Sequence, residues 1–271
     1  MSNIRLLSLD LDGTLLDSQK RISNRNLDAL MAAKAKGVKV VINTGRPMVS
    51  TLEYLSTLDL YGAGEYSITY NGGLVQRNDG SVLSKTLLTR EEVLQIIEMA
   101  EAADFPCDII SNDICYTIEF GRESLLSYVN NTLDFRKISL EQLPLEAEFN
   151  KIIISAENEE LDALQASINE EDEAISRNFE IFRTRDVLLE FMPKGISKAT
   201  GLEKLCDYLD IPASDVLAMG DEDNDVPMLL WAGLGIAPAN SKAAALAAAD
   251  EISAFTNDEN TIAEALKAHV L

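Results

Sequence analysis

A single histidine, His269, is the whole imidazole inventory of this 271-residue chain. That scarcity argues against a multi-histidine metal site and against a hydroxyl nucleophile activated by a histidine base. Whatever chemistry exists must run on carboxylates, hydroxyls and lysines. Cysteine is nearly as sparse. Cys107, Cys115 and Cys206 form no C-x-x-C pair and leave an odd count, which suits reduced, packed thiols better than a disulfide framework. No apolar run approaches the roughly 18 residues that span a bilayer, and "MSNIRLLSLD" meets charge too early for a signal peptide. The expectation is a cytoplasmic protein. Positive charge is also short: 23 Lys and Arg against 45 Asp and Glu give a formal net charge of −22, a field that repels nucleic acid and anionic lipid. The expected partner is a small molecule, not a nucleic acid or a membrane, and the expected state is a monomer or small homo-oligomer. If the substrate is itself anionic, local cations must overcome the global field.

What is present is an ordinary globular composition, 46% hydrophobic and 25% charged, long enough for one large domain or two modest ones. The runs "IRLLSLD" and "VKVVINTGRP" bracket "SNRNLDALMAAKAKG", which has Ser23 at its start and Gly37 at its stop. That predicts strand, helix, strand. Strands that are continuously apolar and separated by a helix imply a parallel sheet covered on both faces, and Pro47 suits the first turn of the next helix. A third strand is expected at "YSITYNGG". Near the C-terminus "DVLAMGDEDNDVPMLLWAG" repeats the opening pattern, followed by short strands at "GLGIAPA" and "ADEIS" and helices at "SKAAALAAAD" and "NDENTIAEALKA". The middle differs. The helix "REEVLQIIEMAEA", the strands "CDIIS" and "ICYTIE" joined at Asn112-Asp113, a helix near "RESLLSYVNNTL", the strand "KIIIS", the helix "NEELDALQASIN" and the strands "FEIFRTR" and "VLLEFM" read as an antiparallel α+β module. The predicted division is a core in two parts, residues 1–83 and 192–271, with the α+β module inserted as residues 84–191.

Three predicted strands end in polar clusters: Asp10-Leu11-Asp12-Gly13-Thr14, Asn43-Thr44-Gly45-Arg46 and Gly220-Asp221-Glu222-Asp223-Asn224-Asp225. Ligands gather at the carboxyl ends of parallel strands. If the strands are neighbours, Asp10, Asp12, Asp221 and Asp225 offer the hard oxygen ligands that Mg²⁺ prefers, and Mg²⁺ in turn implies phosphate. Two other readings stand beside this one. "DLDGTLLDSQK" could be a calcium loop, although its glycine falls at position four instead of six. Each Asp or Asn could also simply open a turn or cap a helix.

In order along the chain, "DLDGT", "NTGRP", "GISKATGL" and "GDEDND" resemble the motifs of the haloacid dehalogenase (HAD) superfamily, specifically its Cof-type phosphatases with a type IIB α+β cap inserted between the second and third motifs. The resemblance implies an α/β, Rossmann-like parallel-sheet core and a Mg²⁺-dependent phosphatase that cleaves small phosphorylated metabolites, sugar phosphates foremost. By that resemblance Asp10 is the nucleophile that forms an aspartyl phosphate. Asp12 is the acid and base, and its main-chain carbonyl joins Asp10, Asp221 and Asp225 at the metal. Thr44 and the Gly45 amide hold phosphoryl oxygens, Lys198 neutralises them, and Asn224 and Asn71 lie against the substrate. Lys194 competes with Lys198, Asn71 and Gly72 could form a plain turn, and Glu222 and Asp223 read as solvent-facing acidity. Arg46, just before Pro47, stays outside the candidate set. The chain departs from the family at Ala199, where glycine is commoner, and at "GIAPANS", where Pro238-Ala239 replace Met-Gly. The cap is expected to close over the substrate and to select the leaving group. A phosphomutase and a non-catalytic sensor of a phosphorylated ligand are the alternatives.

Overall fold

The computed structural model describes residues 4–62, 64–171 and 173–271. The chain forms two compact units: one comprises the chain through Arg46, Thr51–Lys85 and Ser197–Leu271, the other Pro47–Ser50 and Thr86–Ile196.

The first unit opens with strand β1 (Leu6–Leu9), helix α1 (Asn24–Ala35) and strand β2 (Lys39–Asn43). Ser23 caps α1 by accepting from the Asn26 amide. After Pro47 the helix begins as a 3-10 turn, Met48–Thr51, that runs into the short α2 (Leu52–Thr57). The third strand is shorter than "YSITYNGG" suggests: β3 stops at Thr69, and the chain reverses through Tyr70–Gly73 into an antiparallel hairpin of β4 (Leu74–Arg77) and β5 (Val82–Lys85). Three successive residues, Tyr70, Asn71 and Gly72, take positive φ there, and that tight reversal has no helical or strand periodicity to announce it.

The second unit continues with α3 (Arg90–Ala102), β6 (Cys107–Ser111), β7 (Ile114–Ile118), α4 (Leu126–Val129), β8 (Asp134–Lys137), β9 (Lys151–Ser155), α5 (Asn158–Glu171), α6 (Glu173–Asn178), β10 (Phe179–Arg185) and β11 (Leu188–Pro193). Its sheet runs β10-β11-β9-β6-β7-β8. All pairings are antiparallel except β7 with β8, an edge strand whose exposed, charged sequence carries no hydrophobic pattern. The helix expected around "RESLLSYVNNTL" shrinks to the single turn α4. Helix α3 carries a Thr89–Glu92 capping box, and Val93, Ile96, Ile97 and Ala100 form one apolar stripe that enters this unit's core with Ile109, Ile152, Ile154 and Phe191.

Back in the first unit are α7 (Lys198–Leu209), β12 (Val216–Met219), α8 (Val226–Trp231), β13 (Leu234–Ala237), α9 (Ala243–Ala248), β14 (Glu251–Ile252) and α10 (Thr261–His269). The sheet order is β14-β13-β12-β1-β2-β3-β4-β5, parallel from β14 to β3. The chain winds outward from β1 in one direction and from β12 in the other, so the topological switch lies between these two strands. Every residue of β1 and β12 is buried, as strands covered on both faces require. The fold class expected from the sequence, an α/β core with an inserted α+β module, is the one observed. Among the described residues no helix is long and apolar enough to cross a membrane, and the three cysteines are free and buried.

Candidate active site

Register decides which strand ends meet. Leu9 pairs with both Met219 and Ile42, so the residues that follow them leave the sheet side by side. The Asp10 amide still donates to Met219 O at 3.0 Å, which sets Asp10 beside Gly220 and Asp221. On the other flank Thr44 N donates to Ile68 O at 2.9 Å and Asn71 N to Thr44 O at 3.0 Å. The fourth contribution comes from α7. Its N-cap Ser197 accepts from Thr200 N, and Lys198 shares a buried stripe with Gly201, Leu202 and Leu205. That stripe carries the ammonium inward, where Nζ donates to Asp10 Oδ1 and Asp225 Oδ1, each at 2.5 Å. Lys194 belongs to the other unit and pairs with Glu180.

Asp10, Asp221 and Asp225, all buried, each place a carboxylate oxygen within 4.8 Å of the others. One ammonium faces three carboxylates, a charge imbalance that is costly away from water. Burial pushes the Asp10 carboxyl well above its usual range; Lys198 pulls it back while Asp225 and Asp221 add to the rise. Burial likewise pushes Asp221 up to about 7, against the hydroxyl of Thr14, which donates to its Oδ1 at 2.7 Å. A divalent cation reverses this logic and keeps the same groups ionised. The oxygen-only donor set, short of positive charge, fits Mg²⁺. Asp225 differs from the other two. Its Oδ2 accepts from the Asp221 and Glu222 amides, both at 3.0 Å, so both its oxygens have protein donors and its side chain orients Lys198 and the 221–225 loop.

Asp12 turns elsewhere. Its carboxylate accepts from Arg46 through Nε and Nη2, both at 2.6 Å, and from Lys20 Nζ at 2.5 Å. Burial alone would raise its pKa, but the hydrogen bonds and charges of Arg46 and Lys20 outweigh it and hold the carboxyl well below the usual range. Thr44 is buried, and its Oγ1 accepts from Arg46 N at 3.2 Å while its own proton meets no acceptor among the described residues. Gly45 admits Asn71 closely: a Cβ there would lie 2.8 Å from Asn71 Oδ1. That oxygen also accepts from Asn224 Nδ2 at 3.0 Å, so Asn71 and Asn224 tie two site loops together. Glu222 pairs with Lys242 at 2.6 Å and Asp223 is exposed. The Pro238-Ala239 departure leaves the loop anchored: Asn240 Nδ2 donates to Gly13 O and Lys242 N to Asp221 O, both at 2.8 Å.

Sequence reasoning left Arg46 outside the candidate set and gave Thr14 and Lys20 no role. Thr14 is part of the opening motif and Arg46 of the second, so proximity to the motifs was a usable signal for both. Lys20 has none, because it reaches Asp12 only through the turn at residues 17–21.

Comparisons with known proteins identify the family. The family profile of haloacid dehalogenase-like hydrolases matches residues 7–266. YxeH of Bacillus subtilis (strain 168), a candidate phosphatase by its name, is 31% identical over 272 residues, 98% of each chain. The 5-amino-6-(5-phospho-D-ribitylamino)uracil phosphatase YitU of the same strain is 30% identical over 270 residues, 97% of this chain and 96% of that one. Among solved structures, the subclass IIB sugar phosphatase BT4131 superposes with a TM-score of 0.79 at 26% identity, covering 97% of this chain and 98% of that one.

Proposed function

The chain belongs to the haloacid dehalogenase-like hydrolases and is a phosphatase of the Cof type, and from that premise we propose that it is a Mg²⁺-dependent phosphomonoesterase of small phosphorylated metabolites, sugar phosphates foremost, working through an aspartyl phosphate on Asp10. The observation that carries the reading is the buried set of Asp10, Lys198, Asp221 and Asp225 at the switch between β1 and β12. Sugar phosphates are favoured because BT4131, similar over nearly the whole chain, is a sugar phosphatase, and the compound for which YitU is named is a phosphorylated ribityl derivative.

In this reading Lys198 anchors Asp10 Oδ1, and no hydrogen bond among the described residues reaches Oδ2, which is therefore the attacking atom. Lys198 also offers positive charge to the equatorial oxygens of the transferring group, where charge develops. The unspent proton of Thr44 suits one more of those oxygens, with the Gly45 amide beside it. Asp12 protonates the departing oxygen, which leaves it as the carboxylate that Arg46 and Lys20 favour, and takes a proton back from the attacking water. Asp10 and Asp221, with the Asp12 main-chain carbonyl, would hold Mg²⁺, with Asp225 behind them; the ion supplies Lewis-acid neutralisation of phosphate charge. Asn71 and Asn224 keep the loops at the mouth of the site in register.

The test is phosphate release from p-nitrophenyl phosphate and a panel of sugar phosphates, with Mg²⁺ and with chelator, for wild type and Asp10→Asn. Turnover that needs the metal and falls by at least ~10³-fold in the variant is expected, since removing the nucleophile forfeits the covalent route. Isomerised product without free phosphate would favour the mutase alternative, and a folded wild type inert toward every ester would sink the reading.

A further inference from the structure

The Asp12 carboxylate is gripped at three points, and two of them come from one side chain. Arg46 Nε donates to Oδ2 and Arg46 Nη2 to Oδ1, both at 2.6 Å, so a planar fork meets a planar carboxylate. Such a pair fixes the plane of the acid as well as its place, which a point charge cannot do. The Arg46 side chain is 23% exposed, and its guanidinium carbon lies 5.5 Å from the centre of the Tyr54 ring on α2. At the backbone, Arg46 N donates to Thr44 Oγ1 at 3.2 Å and Arg46 O accepts from Tyr70 N at 3.3 Å. Arg46 is thus seated at both ends on loops of the site. Lys20, by contrast, has a half-exposed side chain, and its ammonium is a flexible third contact.

We propose that Arg46 is the positioning residue for Asp12: the guanidinium fork, seated on the Tyr54 ring, sets the direction from which Asp12 meets the ester oxygen and so sets how strongly the enzyme assists a poor leaving group. This deepens the phosphatase reading and rests on it. In the assisted step an Asp10 oxygen forms a bond to phosphorus, the bond from phosphorus to the ester oxygen breaks, and the proton that Asp12 took from the attacking water of the preceding turnover passes to that oxygen, leaving Asp12 as the carboxylate that Arg46 and Lys20 favour. Water then splits the aspartyl phosphate and returns a proton to Asp12. A sugar alkoxide needs that proton; p-nitrophenolate, stable as an anion, barely does. Misplacing Asp12 must therefore harm the two substrate types unequally.

The experiment compares wild type, Arg46→Met, Arg46→Lys and Tyr54→Leu on a sugar phosphate and on p-nitrophenyl phosphate at saturating Mg²⁺. For Arg46→Met, kcat on the sugar phosphate should fall by about 10²-fold or more, with less than about tenfold lost on p-nitrophenyl phosphate and KM nearly unchanged. Arg46→Lys should keep the same bias, because it restores the charge without the fork. Tyr54→Leu should show it in weaker form. Equal losses on both esters, or a raised KM with kcat intact, would overturn the proposal and make Arg46 a phosphate-binding or purely structural residue. If the Arg46 variants do not fold, Tyr54→Leu decides by the same comparison. A wild type without ester turnover sinks the phosphatase reading and this proposal together, whereas a working wild type with unbiased variants sinks this proposal alone.

Discussion

A charged side chain enclosed in an apolar interior persists only with compensating groups, and two residues show the two ways this is met. Lys198 has carboxylates on both sides, so although burial pushes its pKa down, Asp10 and Asp225 raise it and the ammonium stays charged. Asp108, in the second unit, has no cation among its hydrogen-bond partners. It accepts from Thr117 Oγ1 at 2.6 Å, from Ser124 Oγ and from Cys115 Sγ at 3.6 Å. Burial pushes its carboxyl up to about 6, those donors pull it back, and Glu119 adds to the rise. Between the ordinary value of 3.8 and about 6 the folded chain keeps a proton that the unfolded chain has lost. Stability should therefore decline as pH rises from about 4 to about 6, by roughly 3 kcal/mol for this group, and the penalty remains above that window. Asp108→Asn should flatten that part of the unfolding profile and match or exceed wild-type stability at pH 7.5. Urea titrations at several pH values check it, and an unchanged slope in the variant would refute it.

At the scale of elements, the reversal between β3 and β4 is the strained joint of the core. Gly72 has φ +95°, and a Cβ on it would lie 2.1 Å from Ser197 O, the residue that caps α7. Gly72→Ala combines left-handed strain with a backbone clash that no rotamer relieves, and should cost about 2–4 kcal/mol. Because Lys198 follows Ser197 directly, displacement of the cap should also lower kcat. Denaturant unfolding together with turnover tests both, and loss of stability without loss of rate would show that Lys198 does not depend on this contact. The same reversal explains why the β4–β5 hairpin was not anticipated. Asn71 is buried to serve neighbours from other strands, and nothing in its local sequence separates that role from a plain turn.

For the molecule as a whole, a cation held by the carboxylate cluster would link metal binding to folding. A cation that binds the folded chain alone at about 100 times its Kd adds about 2.7 kcal/mol, which moves the unfolding temperature of a unit this size by several degrees. Mg²⁺ should raise the melting temperature, chelator should lower it, and Asp221→Asn should lose the response. A melting curve in the variant that still shifts with Mg²⁺ by the wild-type amount would remove Asp221 from the ligand set.

The sequence alone determined the class of fold and the polar clusters, because buried parallel strands show as unbroken apolar runs and their exits as sudden charge. "LLSLDLDGT" and "VLAMGDEDND" carry that signal within a dozen residues each. It did not determine how the clusters pair. Thr14 meets Asp221 across 207 positions of chain, Arg46 meets Asp12 across 34, and the inward-facing Lys198 reaches Asp10 across 188. Those partnerships follow from strand register and from the stripe of α7 that faces the core, quantities that exist only once the sheet has assembled. Tertiary structure therefore decided that Asp12 stands apart from the other carboxylates, held by Arg46 and Lys20. Charges seek the nearest counter-charge in space, and distance along the chain does not measure that.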